Sequence, residues 1–242
     1  MSALTEGTAY VWWAELDEAR ADWVALLDPA ERERLTAYRQ AADRDRFLLG
    51  CVVVRHVLGA HLGVPPDEVA LDRRCPDCGR PHGRVRLAGG GPGAPALSVS
   101  HSGRWVAVAA HRGGPIGIDV EQVRDLDADG LGEIALAPDE RRALDDLPDG
   151  RRVEAFVRLW CRKEAIVKST GDGLRASLAE IVVSGPDEPA ALVSWPSRPH
   201  LVGGLFLRDL APRPGHAACL AVHAEAPVEV VEMPASDALA AA

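Results

Sequence analysis

The sequence predicts an α+β fold on three observations. Blocks of helix and strand alternate as helix, strands, helix, strands. Each half of the chain carries one long apolar helix. The strand-like runs are short and separated by turn residues.

The elements follow in order. "YVWWAEL" reads as a short apolar strand. Asp28-Pro29 opens a helix, with an acid at the N-cap and proline at the first helical position. "AERERLTAYRQ" reads as an exposed helix. In "DRDRFLLGCVVVRHVLGAHLG" the apolar residues Phe47, Leu48, Cys51, Val54, Val57, Leu58 and Leu62 have helical spacing, which predicts a mostly buried helix ending at Gly63. "CPDCGRPHGRVRLAGGGPGAP" is a turn-rich connector. "ALSVS", "RWVAVAAH" and "IGIDVEQV" are strands, joined by the turns "HSG" and "RGGP". "APDERRALDDL" is a helix, and a longer one runs from Val153 to Ser169. "EIVVS", "AALVSW", "GLFLRDL" and "HAACLAVHAE" are the later strands. The last twelve or so residues, Ala-rich and acidic, are expected to be a loose tail. A boundary near Gly113 splits the chain almost equally, into residues 1–112 and 113–242.

The chain has 242 residues and a formal net charge of −9. An acidic chain repels nucleic acid and anionic membranes, so neither is an expected partner. No apolar run approaches the ~20 residues that span a bilayer. The N-terminus has early acids and no basic region before an apolar core, unlike a signal peptide. Five cysteines, an odd number set mostly in apolar segments, indicate reduced thiols and a cytoplasmic location. Positive charge is almost all arginine: Lys163 and Lys168 are the only lysines, five residues apart in "WCRKEAIVKSTGDG".

Four stretches bear on chemistry. In "GIDVE", Asp119 and Glu121 stand at i and i+2 of a strand and share one face, while Ile118 and Val120 share the other. Two carboxylates that close repel unless a cation lies between them, and oxygen ligands of this kind suit Mg²⁺. A lone D-x-E is more often a solvated polar face. On the long helix the apolar stripe Val153, Phe156, Val157 and Trp160 places Glu164 near its centre, with Lys168 one turn on. Two readings stand. Glu164 and Lys168 pair with each other at i and i+4, or Glu164 completes a three-carboxylate metal site with Asp119 and Glu121 while Lys168 faces phosphate, as a movable point charge does better than a guanidinium fork. In "SVSHSGRW", Ser100, His101 and Ser102 sit at a strand-to-turn junction that suits an anion or is a plain surface turn. Cys75-x-x-Cys78 with His82 has metal-ligand residue types, but no second Cys pair follows at zinc-site spacing, so a glycine-rich turn is the expected reading. There is no P-loop, no G-x-G-x-x-G after a strand and no G-x-S-x-G elbow.

Together, "SVSHSGRW", "IGIDVE" and "WCRKEAIVKSTGDGL" resemble the signature of the Sfp-type 4′-phosphopantetheinyl transferases. The resemblance runs from about Asp28 to His223, and the W-C-R-K-E-A form resembles the branch acting on secondary-metabolite carriers. It implies a pseudo-duplicated fold of two similar α/β halves with the active site in the cleft between them, acting as a monomer. It implies transfer of phosphopantetheine from coenzyme A to a carrier-protein serine, with release of adenosine 3′,5′-bisphosphate. Asp119, Glu121 and Glu164 would hold Mg²⁺. Glu164, Lys168 and Asp119 would be catalytic, Glu164 helping to deprotonate the serine and Lys168 neutralising the pyrophosphate. Arg34, Arg46, Arg80, Ser100, His101 and Lys163, with Lys168, would contact coenzyme A. Arg80 replaces the lysine of the family's G-K-P turn. Glu31 stands where some relatives have a basic residue and Phe47 where a small polar one is common, with Arg46 the compensating cation. Leu126, Leu131 and Ile134 would either receive the carrier's helix or belong to the core. The competing functions are a Mg²⁺-dependent hydrolase of coenzyme A or another nucleotide pyrophosphate, and a catalytically silent binding module.

Overall fold

The computed structural model describes residues 4–124, 128–211 and 213–240. Its first elements are β1 (Thr8–Glu15), α1 (Pro29–Ala37), α2 (Ala41–Leu62), β2 (Leu71–Asp72), β3 (Arg86–Leu87), β4 (Ala96–Ser102), β5 (Trp105–His111) and β6 (Ile116–Gln122). Then come α3 (Ala128–Ala135), α4 (Pro138–Asp145), α5 (Asp149–Thr170), β7 (Val182–Val183), β8 (Leu192–Ser194), β9 (Leu205–Asp209), β10 (His216–His223), β11 (Glu229–Pro234) and α6 (Ser236–Leu239). The chain divides into two compact units. One runs to Gly113 and regains the segment from Glu229 onward; the other is Gly114–Val228.

In the first unit the sheet order is β11-β1-β5-β4, with β1 antiparallel to β5 and parallel to β11. Helix α2 covers one face. Its Leu49, Val53, Val54, Val57 and Leu58 pack with Trp12, Leu97, Val106 and Val108. It ends at Gly63, whose left-handed φ of 72° lets its N–H reach the Gly59 carbonyl at 2.8 Å. Helix α1 opens as a capping box: Asp28 accepts from the Glu31 N–H at 2.8 Å and Glu31 accepts from the Asp28 N–H at 3.1 Å.

Two expectations for this unit are corrected. Helix α1 is not exposed all round, because Glu31 is 1% accessible. Its carboxylate takes Arg55 at 2.6 Å and Arg73 at 3.0 Å, so an acid here completes a buried ion cluster. Nor is the C-terminus a loose tail of the second half. Strand β11 pairs with β1 from Thr8↔Glu229 to Trp13↔Pro234, the Trp13 indole donates to Glu232 at 2.9 Å, and Ala235 and Ala238 are buried with α2 residues. The division into 1–112 and 113–242 therefore fails at its far end.

In the second unit β6, β10 and β9 form an antiparallel sheet in that order. Helix α5 lies on β6 and β10 and spans 22 residues, as α2 does. It too ends at a left-handed glycine, Gly171 with φ 75°. Phe156, Leu159 and Ile166 pack with Trp195, Leu207 and Cys219 in the core; each large side chain so buried contributes about 1.5–3 kcal/mol. Arg162, fully buried, ties the helix to Asp209 at 2.6 Å and to the carbonyls of Ser184, Gly185 and Glu188, each at 2.8 Å. Both units are thus a 22-residue helix on an antiparallel-rich sheet, the mixed α+β architecture expected. Among the described residues no helix is long and apolar enough to cross a membrane.

Candidate active site

Strand β6 turns Gly117, Asp119 and Glu121 to one face and Ile116, Ile118 and Val120 to the other, by the two-residue period of a strand. The first face meets α5. A Cβ built on Gly117 would lie 2.0 Å from the Ala165 carbonyl oxygen and 2.4 Å from the Ser169 amide nitrogen. Only a residue without a side chain lets the helix backbone come this close. The contact sets Glu164 and Lys168 beside Asp119 and Glu121. Sequence reading passed over Gly117, although a glycine inside an apolar strand is a recognised sign of close backbone approach.

Asp119 is 2% exposed, and its Oδ1 accepts from Lys168 Nζ at 2.6 Å. Burial opposes charge on Lys168, but the adjacent Asp119 carboxylate, with Glu164, more than offsets it and holds the ammonium above its ordinary value. Glu164 is half-buried at the margin of the helix's packed surface and not at its centre; Val153 and Trp160 share that margin. Burial pushes the Glu164 carboxyl up, and Asp119 and Glu121 add to the shift while Lys168 opposes it. Cys161, one turn before, is buried beneath the same acids; burial first, then Asp119 and Glu121, raise its thiol well above the usual range. That thiol is a packing group, donating to the Ala217 carbonyl at 3.4 Å.

Three carboxylates and one ammonium leave two net negative charges around this contact. Their mutual repulsion, which adds to the effect of burial in raising Glu164, is what a divalent cation relieves, and an all-oxygen donor set suits Mg²⁺.

Lys163 has a different role from the one expected. It is fully buried, and its ammonium donates to Glu140 at 2.5 Å, to the Ala135 carbonyl at 2.7 Å and to the Leu178 carbonyl at 3.1 Å. Glu140 also caps the N–H groups of Ala137 and Val183. The pair joins α4, α5 and the end of β7, leaving Lys163 no donor for coenzyme A, and the expectation that it contacts that ligand is corrected.

The remaining expected phosphate contacts lie in the first unit. Arg34 lies 5.2 Å from the Phe47 ring centre and lines a cavity of about 230 Å³ with Glu31, Phe47, Arg73 and Arg74. Arg73 and Arg74 were not anticipated there. Arg46 is committed to the Gly103 carbonyl at 2.8 Å and to Asp43 at 2.7 Å. Arg80 is exposed in the loop between β2 and β3. Ser100 and His101 are neighbours on β4, so they point to opposite faces; Ser100 is buried and His101 exposed. Of the residues expected to meet a carrier, Ile134 is 68% exposed, Leu131 packs on the second unit's core, and Leu126 lies outside the described residues.

Comparisons with known proteins match both units. A family model described as the 4′-phosphopantetheinyl transferase superfamily matches residues 115–216, and one described as 4′-phosphopantetheinyl transferase, N-terminal, matches residues 12–113. The 4′-phosphopantetheinyl transferase HetI of Nostoc sp. is 33% identical over 199 residues, covering 80% of this chain and 81% of that protein. The 4′-phosphopantetheinyl transferase Sfp of Bacillus subtilis is 26% identical over 170 residues, covering 66% of this chain and 67% of its own. Among solved structures, a holo-[acyl-carrier-protein] synthase of Thermotoga maritima is 21% identical, with a TM-score of 0.38 over 46% of this chain and 64% of its own.

Proposed function

The chain belongs to the 4′-phosphopantetheinyl transferase superfamily and is an enzyme of that class; we propose that it moves the phosphopantetheine arm of coenzyme A onto a serine of an apo carrier protein, with Mg²⁺. The observation that carries this is the meeting of Asp119, Glu121, Glu164 and Lys168 where α5 crosses β6 at Gly117.

Asp119, Glu121 and Glu164 would hold Mg²⁺, which supplies charge neutralisation on the pyrophosphate. The serine Oγ forms a bond to the phosphorus that bears the pantetheine arm. The bond from that phosphorus to the bridging oxygen breaks, and adenosine 3′,5′-bisphosphate leaves with the electron pair. Glu164 would take the serine proton directly or through water. Lys168 meets the charge that grows on the leaving phosphate. No protein nucleophile is needed, because phosphoryl transfer is mostly positioning and electrostatics.

In the first unit's cavity Arg73 pairs with Glu31 and Arg74 with Asp72, so Arg34 is the cation it offers to a phosphate; in the second unit, exposed Ile134 offers an apolar contact for a carrier helix. The W-C-R-K-E-A motif supports secondary-metabolite carriers as acceptors, and five free thiols support a reducing, cytoplasmic setting.

The test is intact mass of an apo carrier domain after incubation with the protein, coenzyme A and Mg²⁺. A gain of one phosphopantetheinyl group, lost with EDTA and with Glu164→Gln, is the expected result. Free phosphopantetheine with an unmodified carrier would make the site a hydrolase.

A further inference from the structure

Apart from the acidic cluster, the described residues bring together one set of soft metal ligands. Cys75, Cys78 and His82 lie in the loop joining β2 to β3, with one ligand atom from each within 4.8 Å of the others. Cys78 Sγ and His82 Nε2 are hydrogen-bonded at 2.9 Å. Zn–S near 2.3 Å and Zn–N near 2.0 Å put tetrahedral ligand atoms about 3.5 Å apart, so side-chain shifts on the order of 1 Å, widening the 2.9 Å pair and closing gaps of up to 4.8 Å, admit an ion.

The backbone around these atoms is specialised. The backbone amides of Cys78 and then Asp77 lower the Cys75 thiol, against the nearby Asp77 carboxylate; Cys75 Sγ lies 3.8 Å from Asp77 Oδ2, to which it donates. Gly79, with φ 72°, makes the turn after Cys78, its N–H reaching the Cys75 carbonyl at 2.9 Å. The Cys75 N–H in turn donates to the Arg80 carbonyl at 2.9 Å. Gly83 then lets the returning chain lie against the outgoing one: a Cβ there would sit 2.6 Å from the Arg74 carbonyl oxygen and 2.9 Å from the Cys75 nitrogen. That approach carries His82 to the two sulfurs. The loop is otherwise thinly packed, with Cys78 and His82 exposed.

We propose that Cys75, Cys78 and His82 bind one Zn²⁺, through two thiolates and an imidazole, with water in the fourth position. Two sulfurs and a nitrogen favour zinc over the oxygen-seeking cations of the acidic site. The ion cross-links the two sides of a loop that has little core of its own. The sequence argument against zinc, that no fourth protein ligand follows, is met by water in the fourth position, as in zinc sites with three protein ligands.

The test uses the full chain, produced with zinc supplied, kept reduced and anaerobic, and stripped of loose metal by dialysis. Elemental analysis is expected to find one zinc per chain. Replacement by Co²⁺ is expected to give a thiolate-to-cobalt absorption band. Cys75→Ser/Cys78→Ser should lose both signals, and His82→Ala, which removes a direct ligand, should weaken binding by more than the roughly 10–100-fold that loss of an outer partner costs, while Glu164→Gln keeps the zinc. Circular dichroism checks that each variant is folded; the His82→Ala titration decides the matter if the double variant is not. Zinc absent from the reduced wild type, zinc retained by the folded cysteine variant, zinc lost with Glu164→Gln, or a Cys75–Cys78 disulfide in protein never exposed to oxygen would each overturn the proposal.

Discussion

Lys168 on α5 donates to Asp119 on β6 at 2.6 Å, joining a side chain 31% exposed to one 3% exposed. The ammonium serves two purposes: it neutralises a buried carboxylate and it lowers the Glu164 carboxyl against the pull of burial, Asp119 and Glu121. Lys168→Ala should lower kcat for transfer roughly 10²-fold, as losing one preorganised charge does. Steady-state kinetics with a saturating carrier checks it.

The pH profile follows from the same cluster. Glu164 must be ionised to act as base, and its carboxyl is held above the ordinary 4.5 by burial and by Asp119 and Glu121. In the metal-free protein the Glu164 titration, read as the fall of Mg²⁺ affinity with falling pH, should therefore lie above the usual carboxylate range. In Lys168→Ala it should move to still higher pH, because the one group that lowers Glu164 is gone. Stability has the matching sign. A carboxyl whose folded-state value is raised binds protons better folded than unfolded, so its contribution is fullest below 4.5 and is lost as pH rises through the folded value. Metal-free Glu164→Gln should thus be at least as heat-stable as the wild type at neutral pH.

Gly117→Ala should damage both fold and site. The added methyl meets backbone atoms of Ala165 and Ser169, which cannot rotate away, so α5 must shift. A cost of about 3 kcal/mol is expected, measured by denaturant unfolding, together with loss of transfer in whatever remains folded.

Lys163→Met separates a structural lysine from a ligand-binding one. It strands Glu140 without its cation in a buried site, which costs about 3–5 kcal/mol. The melting temperature should fall, while KM for coenzyme A in the folded fraction stays near the wild-type value. A changed KM at unchanged stability would return Lys163 to the ligand.

Truncation after Val228 should destabilise the first unit. It removes β11 from the edge of β1, the Trp13–Glu232 hydrogen bond and the buried Ala235 and Ala238. The exposed β1 edge should also promote association, visible in size-exclusion chromatography. A tail that was only loose would come off without effect.

Much was written locally in the chain. The Asp28–Pro29 start of α1, the glycine that ends α2 and the strand alternation that puts Asp119 and Glu121 on one face need only neighbouring residues to specify them. So the sequence by itself determined the order of elements, the α+β class and which acids were candidates. Even the parting of Lys163 from Lys168 was within reach: five residues at about 100° each leave them about 140° apart on the helix. What tertiary structure alone decided is which charge meets which. Glu31 looked exposed until Arg55 and Arg73 arrived from 24 and 42 residues away. Lys163 found Glu140 and Lys168 found Asp119 from other elements. The final strand left the second half for an open edge of the first. Periodicity fixes the face a side chain takes on its own element. The group waiting opposite is set by long-range packing, to which the local pattern carries no address.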